Sequence, residues 1–198
     1  MKKQLLITLI FSLITNICLS QRSTVTFSNN IFKGVYSEIY QQPLTITYDV
    51  LCFNGKISRN GLDFYTNDSI LTSNDSDYVN NVYDKGHLAP AADFNCDKDN
   101  LFKTFSYLNC ALQHENLNRG VWRYLEAHER ELTKKGKVTV RVDVIFSDTA
   151  KKVYGGATIP DGFKKTIYVN GVITECYYFP NVSPISGKKY TDYKIKCA

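Results

Sequence analysis

The strongest pattern in the chain is strict alternation over 137–146, KVTVRVDVIF, which puts Val138, Val140, Val142, Val144 and Phe146 on one face. A two-residue period with mostly polar residues on the other face predicts a half-buried strand. Just upstream, Leu117, Val121, Leu125, His128 and Leu132 recur at spacings of 4, 4, 3 and 4, the period of an amphipathic helix. We place that helix from Asn118 to about Lys135, with Asn118 as N-cap, Lys134 and Lys135 at its negative end, and Gly136 as its stop. Residues 44–53, LTITYDVLCF, are rich in β-branched and aromatic side chains and predict a strand ended by Asn54-Gly55. In 165–179, KTIYVNGVITECYYF, Asn170-Gly171 separates two strand-like runs and predicts a hairpin. Tyr190 to Cys197 adds a final edge strand.

Between these elements the chain is less regular. Residues 21–43 carry little periodic signal beyond Ile31-Phe32 and read as a lead-in segment. Residues 66–81 are rich in Asn, Asp and Ser, whose side chains bond to nearby backbone, and predict a surface loop. The stretch Asp84 to Pro90, with a Gly inside and a Pro at its end, reads as a loop or strand edge that holds His87. No repeat, low-complexity tract or linker interrupts 21–198, so the pattern predicts one α+β domain: a mainly antiparallel sheet with a long helix packed on it.

Composition adds an address. Lys2 and Lys3 precede an apolar run from Leu5 to Leu19, and Ser20-Gln21 offers a small-residue exit, so residues 1–20 read as a cleaved signal peptide. As a membrane anchor the run is short and is interrupted by Ser12, Thr15 and Asn16. A secreted or periplasmic chain with no membrane attachment is the expectation. Without Lys2 and Lys3 the formal charge drops from +5 to +3, which permits a polyanionic partner without demanding one. Cys52, Cys96, Cys110, Cys176 and Cys197 remain, enough for two disulfides and one thiol, with the pairing left open. The absence of any CxxC pair and the wide spacing argue against zinc.

The candidate chemistry lies in 83–130. Cleaving a phosphodiester requires a base for water, charge neutralisation on the phosphoryl oxygens and help for the leaving oxygen. His87 suits the first task, because an imidazole is a competent base near neutrality. Asn109 is a candidate hard-oxygen ligand for Mg²⁺, which keeps several of its waters. Glu126 and Arg130 are four apart and share a helix row with Trp122. The pair is either a surface ion pair or, in the sharper reading, a carboxylate for a metal-bound water beside a guanidinium for phosphate. His114, at the helix entrance, and His128, on the apolar stripe, read as structural.

These residues match a specific signature. DKGHLAP at 84–90, followed by TFSYLNCALQHENLNRGVW from 104, resembles the DNA/RNA non-specific endonucleases, the ββα-metal or His-Me finger nucleases. The spacing of Asn109, Gln113, Asn118, Trp122, Glu126 and Arg130 agrees with the family pattern. The resemblance implies that His87 activates water, that Asn109 is the sole direct protein ligand of Mg²⁺ (or Mn²⁺), and that Glu126 holds a metal-bound water. It further implies that Arg130 stabilises charge at the phosphate, that Arg59 in SRN at 58–60 supplies a second phosphate contact, and that the products are 5′-phosphorylated oligonucleotides from DNA or RNA. Lys85 stands where the family has Arg in DRGH, keeping the charge for substrate binding but losing the bidentate fork. Two other readings stay open: a catalytically silent nucleic-acid-binding protein on the same scaffold, and a disulfide-framed extracellular interaction domain.

Overall fold

The computed structural model describes residues 23–197; the expected leader lies outside the described residues. The strands are β1 (Val25–Ser28), β2 (Phe32–Ser37), β3 (Gln42–Asp49), β4 (Tyr83–His87), β5 (Cys110–His114), β6 (Val138–Ile145), β7 (Gly162–Val169), β8 (Val172–Pro180) and β9 (Lys194–Ile195). Helix α1 spans Lys98–Lys103, α2 is a single turn at Glu115–Leu117, and α3 spans Arg123–Leu132. Seven strands form one antiparallel sheet in the order β1-β2-β3-β6-β7-β8-β9, while β4 and β5 form a separate antiparallel ribbon. The fold is α+β.

The alternating valines make the central strand. Val138, Val140 and Val142 are fully buried on one face of β6, beside Tyr48 and Ile46 of β3 and Ile167 of β7. Leu125 and Leu132 of α3 and the preceding Val121 and Trp122 cover that face, so sheet, helix and ribbon share one core. Trp122 fits edge-on against Phe163 and Phe179, with ring centroids 5.4 and 5.6 Å away. Burying a side chain of this size stabilises by roughly 1.5–3 kcal/mol relative to exposure. The Asn170-Gly171 turn forms as its sequence dictates: both residues adopt positive φ, 52° and 81°, the conformation that a two-residue hairpin demands.

Two expectations need correction, and one strand was not foreseen. The lead-in at 21–43 supplies two strands, β1 and β2. Its alternation is broken by Gly34 and by a bulge between Val35 and Tyr36, so no two-residue period is sustained. Gly34 has a physical cause, since a Cβ there would meet the Thr45 carbonyl oxygen at 2.1 Å. His87 ends β4, an edge strand of the two-stranded ribbon, which is the second of the two settings expected for it. Its partner β5 was missed altogether, because the CALQH segment is nearly all buried and carries no alternation.

The remaining correction concerns the helix. Residues 118–122 form an irregular wide turn, with Gly120 at non-helical φ −105° and ψ −117°, and regular helix begins only at Arg123. Asn118 is therefore not an N-cap; its backbone is already right-handed helical. Gly136 does end the segment, at φ 145°.

Cys52 pairs with Cys96 and Cys176 with Cys197, while the Cys110 thiol is buried against the Tyr78 hydroxyl at 3.2 Å. Among the described residues no helix is long and apolar enough to cross a membrane.

Candidate active site

Ribbon, wide turn and α3 follow one another in space and border a cleft of about 920 Å³. The fourth wall is the irregular chain after β3, which carries Ser58, Arg59 and Phe64. That chain is fastened across the cleft floor by the Cys52–Cys96 disulfide and by the Ile57 amide, which donates to the Asn95 carbonyl at 3.2 Å.

His87 is delivered by β4, whose register sets it opposite Cys110 of β5. The residue before it must be small, because a Cβ on Gly86 would lie 2.5 Å from the Gln113 side chain. Two rings hold the imidazole, Phe64 at 4.7 Å and Phe105 at 4.9 Å between centroids. Its Nε2 is buried without a hydrogen-bond partner. Burial, aided by the nearby positive charge of Arg59, pushes its pKa down to about 3. The ring is therefore neutral around neutral pH, with a free lone pair to take a proton once its surroundings favour the charged form.

Asn109 does not reach the cleft. Its side chain is fully buried. Its Oδ1 accepts from the Ala89 amide at 2.7 Å, and its Nδ2 donates to the carbonyls of Ala89 and Thr104 at 2.8 and 2.9 Å. Every polar atom of the amide is engaged in clipping the segment after His87 to the segment before β5. The expectation that Asn109 directly ligates metal is corrected: it is a scaffold residue that holds the strand carrying the imidazole.

Asn118 takes the place in the cleft that sequence reasoning gave to Asn109. It lines the cavity with Glu126 and Arg130. Its Nδ2 donates to Asp84 Oδ2 at 2.9 Å, which fixes the amide orientation and leaves Oδ1 without a hydrogen bond among the described residues. Asp84 is itself held by the fork of Arg119, at 2.9 and 2.6 Å. A signal for Asn118 was present: it stands four residues before Trp122 and eight before Glu126, on one row with Arg130. Reading it as a cap obscured that row.

Glu126 and Arg130 both face the cleft, as the sharper sequence reading required, but they are not a mutual ion pair among the described residues. Arg130 Nη1 donates to Asp93 Oδ1 at 2.8 Å. Asp93 is fully buried and its Oδ2 has no hydrogen-bond partner among the described residues; burial and the neighbouring Glu129 push its carboxyl up, with Arg130 opposing them. Burial also pushes Glu126 up to about 7, with Lys165 opposing and Glu129 adding to the shift. Sequence reasoning missed Asp93, which lies three residues past the DKGHLAP block and carries no helical or strand periodicity.

The expected phosphate-contacting cations differ in availability. Arg59 is exposed on the cleft wall, and no ion pair holds it among the described residues. The Lys85 ammonium lies 2.8 Å from Asp63 and 2.5 Å from Asp75, and 5.8 Å from the Phe64 and Tyr107 ring centroids. Its charge is already neutralised at the cleft rim, so Lys85 fastens the Asp63 and Asp75 loops where a free phosphate anchor was expected. His114 accepts from the Asn116 amide at the start of α2, and His128 pairs with Glu175 at 2.9 Å, so neither imidazole lines the cleft.

Comparison with known proteins agrees with this arrangement. The family model for DNA/RNA non-specific endonuclease matches residues 22–198. Nuclease C1 of Cunninghamella echinulata var. echinulata is 31% identical over 144 residues, covering 65% of this chain and 57% of that protein. Mitochondrial endonuclease G of Bos taurus is 34% identical over 83 residues, covering 40% of this chain and 28% of that protein. These matches thus span less than two thirds of either relative's own length. Among solved structures, a chain of the EndoG/EndoGI complex superposes with a TM-score of 0.77 at 22% identity, over 86% of this chain and 80% of that one. Fold, ribbon-turn-helix site and sequence agree: the chain belongs to the DNA/RNA non-specific endonuclease family.

Proposed function

We propose that the chain is an exported, Mg²⁺- or Mn²⁺-dependent endonuclease that hydrolyses phosphodiester bonds in both DNA and RNA and leaves 5′-phosphorylated products. The observation that carries the reading is the meeting, in one cleft, of a neutral imidazole, two oxygen donors and a guanidinium, Arg59, with no ion pair among the described residues. Family membership supports it, and the two disulfides support export, since such bonds persist in oxidising compartments.

The donor set suits a hard divalent cation. Asn118 Oδ1 has no hydrogen bond among the described residues, and a raised Glu126 carboxyl would ionise fully beside added positive charge. Asn118 would hold the ion directly, with Glu126 engaging one of its waters. When bound, the ion supplies electrostatic stabilisation of the phosphoryl and leaving oxygens.

His87 takes a proton from the attacking water. The water oxygen forms a bond to phosphorus as the bond from phosphorus to the 3′ oxygen breaks. The leaving 3′ oxygen then takes up a proton from solvent, which leaves a 3′ hydroxyl and a 5′ phosphate. Burial is the larger cause of the low imidazole pKa and Arg59 the lesser; a phosphate anion offsets the Arg59 part and so moves His87 toward a more effective basicity. Arg130, with Asp93 holding one end of its guanidinium, and the free Arg59 face the phosphoryl charge.

The test is degradation of plasmid DNA and of RNA by the purified mature chain with added Mg²⁺ or Mn²⁺, with and without chelator. Turnover of both nucleic acids, abolished by chelator, is expected, and Arg59→Ala should raise KM several-fold. Tight binding of nucleic acid with no turnover in either metal would instead favour a silent binding protein.

A further inference from the structure

Beneath α3 the chain buries a cation that does not line the cleft. Lys165 lies on the core face of β7, paired with Val142 of β6, and is fully buried. Its ammonium donates to Glu129 Oε1 at 2.8 Å and sits 4.1 Å from the centroid of the Trp122 ring. The Tyr48 hydroxyl donates to the other Glu129 oxygen at 2.8 Å, and Glu129 is fully buried as well. Three elements, β3, β7 and α3, thus converge on one carboxylate and one ammonium.

Stability is a poor reason for this arrangement. Removing two charges from water offsets most of their attraction, and well-packed apolar side chains of similar volume often serve a core equally well. The apolar neighbours on the same sheet face, Val140, Val142, Phe163 and Ile167, would admit such a replacement.

Position gives a better reason. Trp122 lies four residues after Asn118 and four before Glu126, and Glu129 stands between Glu126 and Arg130. The wide turn at 118–122, with Gly120 out of helical geometry, lacks the regular hydrogen-bond ladder that would otherwise fix the height of Asn118. Clamping Trp122 from below, and the next turn through Glu129, supplies that constraint.

We propose that Lys165 is a positioning residue, whose buried ammonium grips Glu129 and the Trp122 ring and so fixes the placement of Asn118, Glu126 and Arg130 on the cleft wall. The proposal rests on the nuclease reading for its turnover readout. A misplacement of about 1 Å can lower a rate by ~100-fold while leaving binding nearly intact.

The test is the double variant Lys165→Met/Glu129→Gln, which removes both charges at nearly constant volume. It should melt within a few degrees of the wild type, with kcat at least tenfold lower, KM for nucleic acid within about threefold, and Mn²⁺ bound several-fold more weakly in the absence of substrate. A folded double variant with wild-type kcat and wild-type Mn²⁺ affinity overturns the proposal. If the wild type binds Mn²⁺ but turns over no nucleic acid, the nuclease reading falls and Mn²⁺ affinity alone decides the positioning claim. Tyr48→Phe removes only the hydroxyl on Glu129 and should keep the fold while lowering kcat a few-fold. Should the double variant not fold, wild-type kcat and Mn²⁺ affinity in Tyr48→Phe overturn the proposal.

Discussion

Asn118→Ala is expected to weaken divalent-metal binding by at least ~100-fold while the variant melts close to the wild type. Loss of a residue that merely orients a metal ligand costs ~10–100-fold in affinity, and here the ligand oxygen itself would go. The fold should tolerate the change, because Asn118 is only half-buried and makes one side-chain hydrogen bond, to an Asp84 that keeps both bonds from Arg119. Asn109→Ala should behave in the opposite way. It strips partners from the Ala89 amide and from the carbonyls of Ala89 and Thr104, all in a buried setting. An unsatisfied buried group costs about 1–3 kcal/mol, so a loss of roughly 3 kcal/mol is expected, with metal affinity of the surviving folded fraction little changed. Thermal melts and calorimetric titration with Mn²⁺ on the two variants check both halves. The reverse assignment of stability and metal loss would restore Asn109 as the ligand.

His87→Ala should lower kcat by about 10²–10⁴-fold, the range for loss of a general base, with nucleic-acid binding retained. The same variant carries a pH signature. The folded-state pKa of about 3 lies below the ~6.5 of an unfolded-chain imidazole. Between those values the unfolded chain holds more protons, so stability is fully present above ~6.5 and falls as pH drops toward 3, by up to ~1.4 kcal/mol per pH unit. Comparing denaturant unfolding of wild type and His87→Ala between pH 7 and 4 isolates this one group. Parallel curves would mean that the fold does not hold the imidazole neutral, and undiminished turnover by the variant would remove it from the chemistry.

Much of this architecture was legible in residue order because its causes are local. The valines of β6 alternate, and Asn170-Gly171 supplies the two positive φ angles of its turn, so both elements follow from short-range sterics and one buried face. Elements whose definition depends on distant partners were not legible. β2 forms against β3 despite a glycine demanded by close backbone approach, and β5 is buried by the sheet and ribbon around it, which erases its periodicity. The site divides in the same way. His87, Glu126 and Arg130 could be placed from motif and helix spacing. The two asparagines could not be told apart, since nothing in a sequence shows that one amide is consumed by backbone and the other by a single carboxylate. The helix pattern also ran straight through Gly120, and the irregular turn there is what aims Asn118 into the cleft rather than leaving it to cap α3. Lys85 was read as a phosphate anchor because its neutralising partners, Asp63 and Asp75, lie 22 and 10 residues away in sequence.

The central claim is that metal, imidazole and cationic groups meet in the cleft between the β4–β5 ribbon and α3. Its most direct test is the anomalous scattering of crystals of residues 21–198 soaked in Mn²⁺. The account predicts one strong peak against Asn118 Oδ1, with a water between the ion and Glu126 and with His87 facing the same space. A peak bound at Asn109, or a fully loaded crystal with no ion in this cleft, would contradict it.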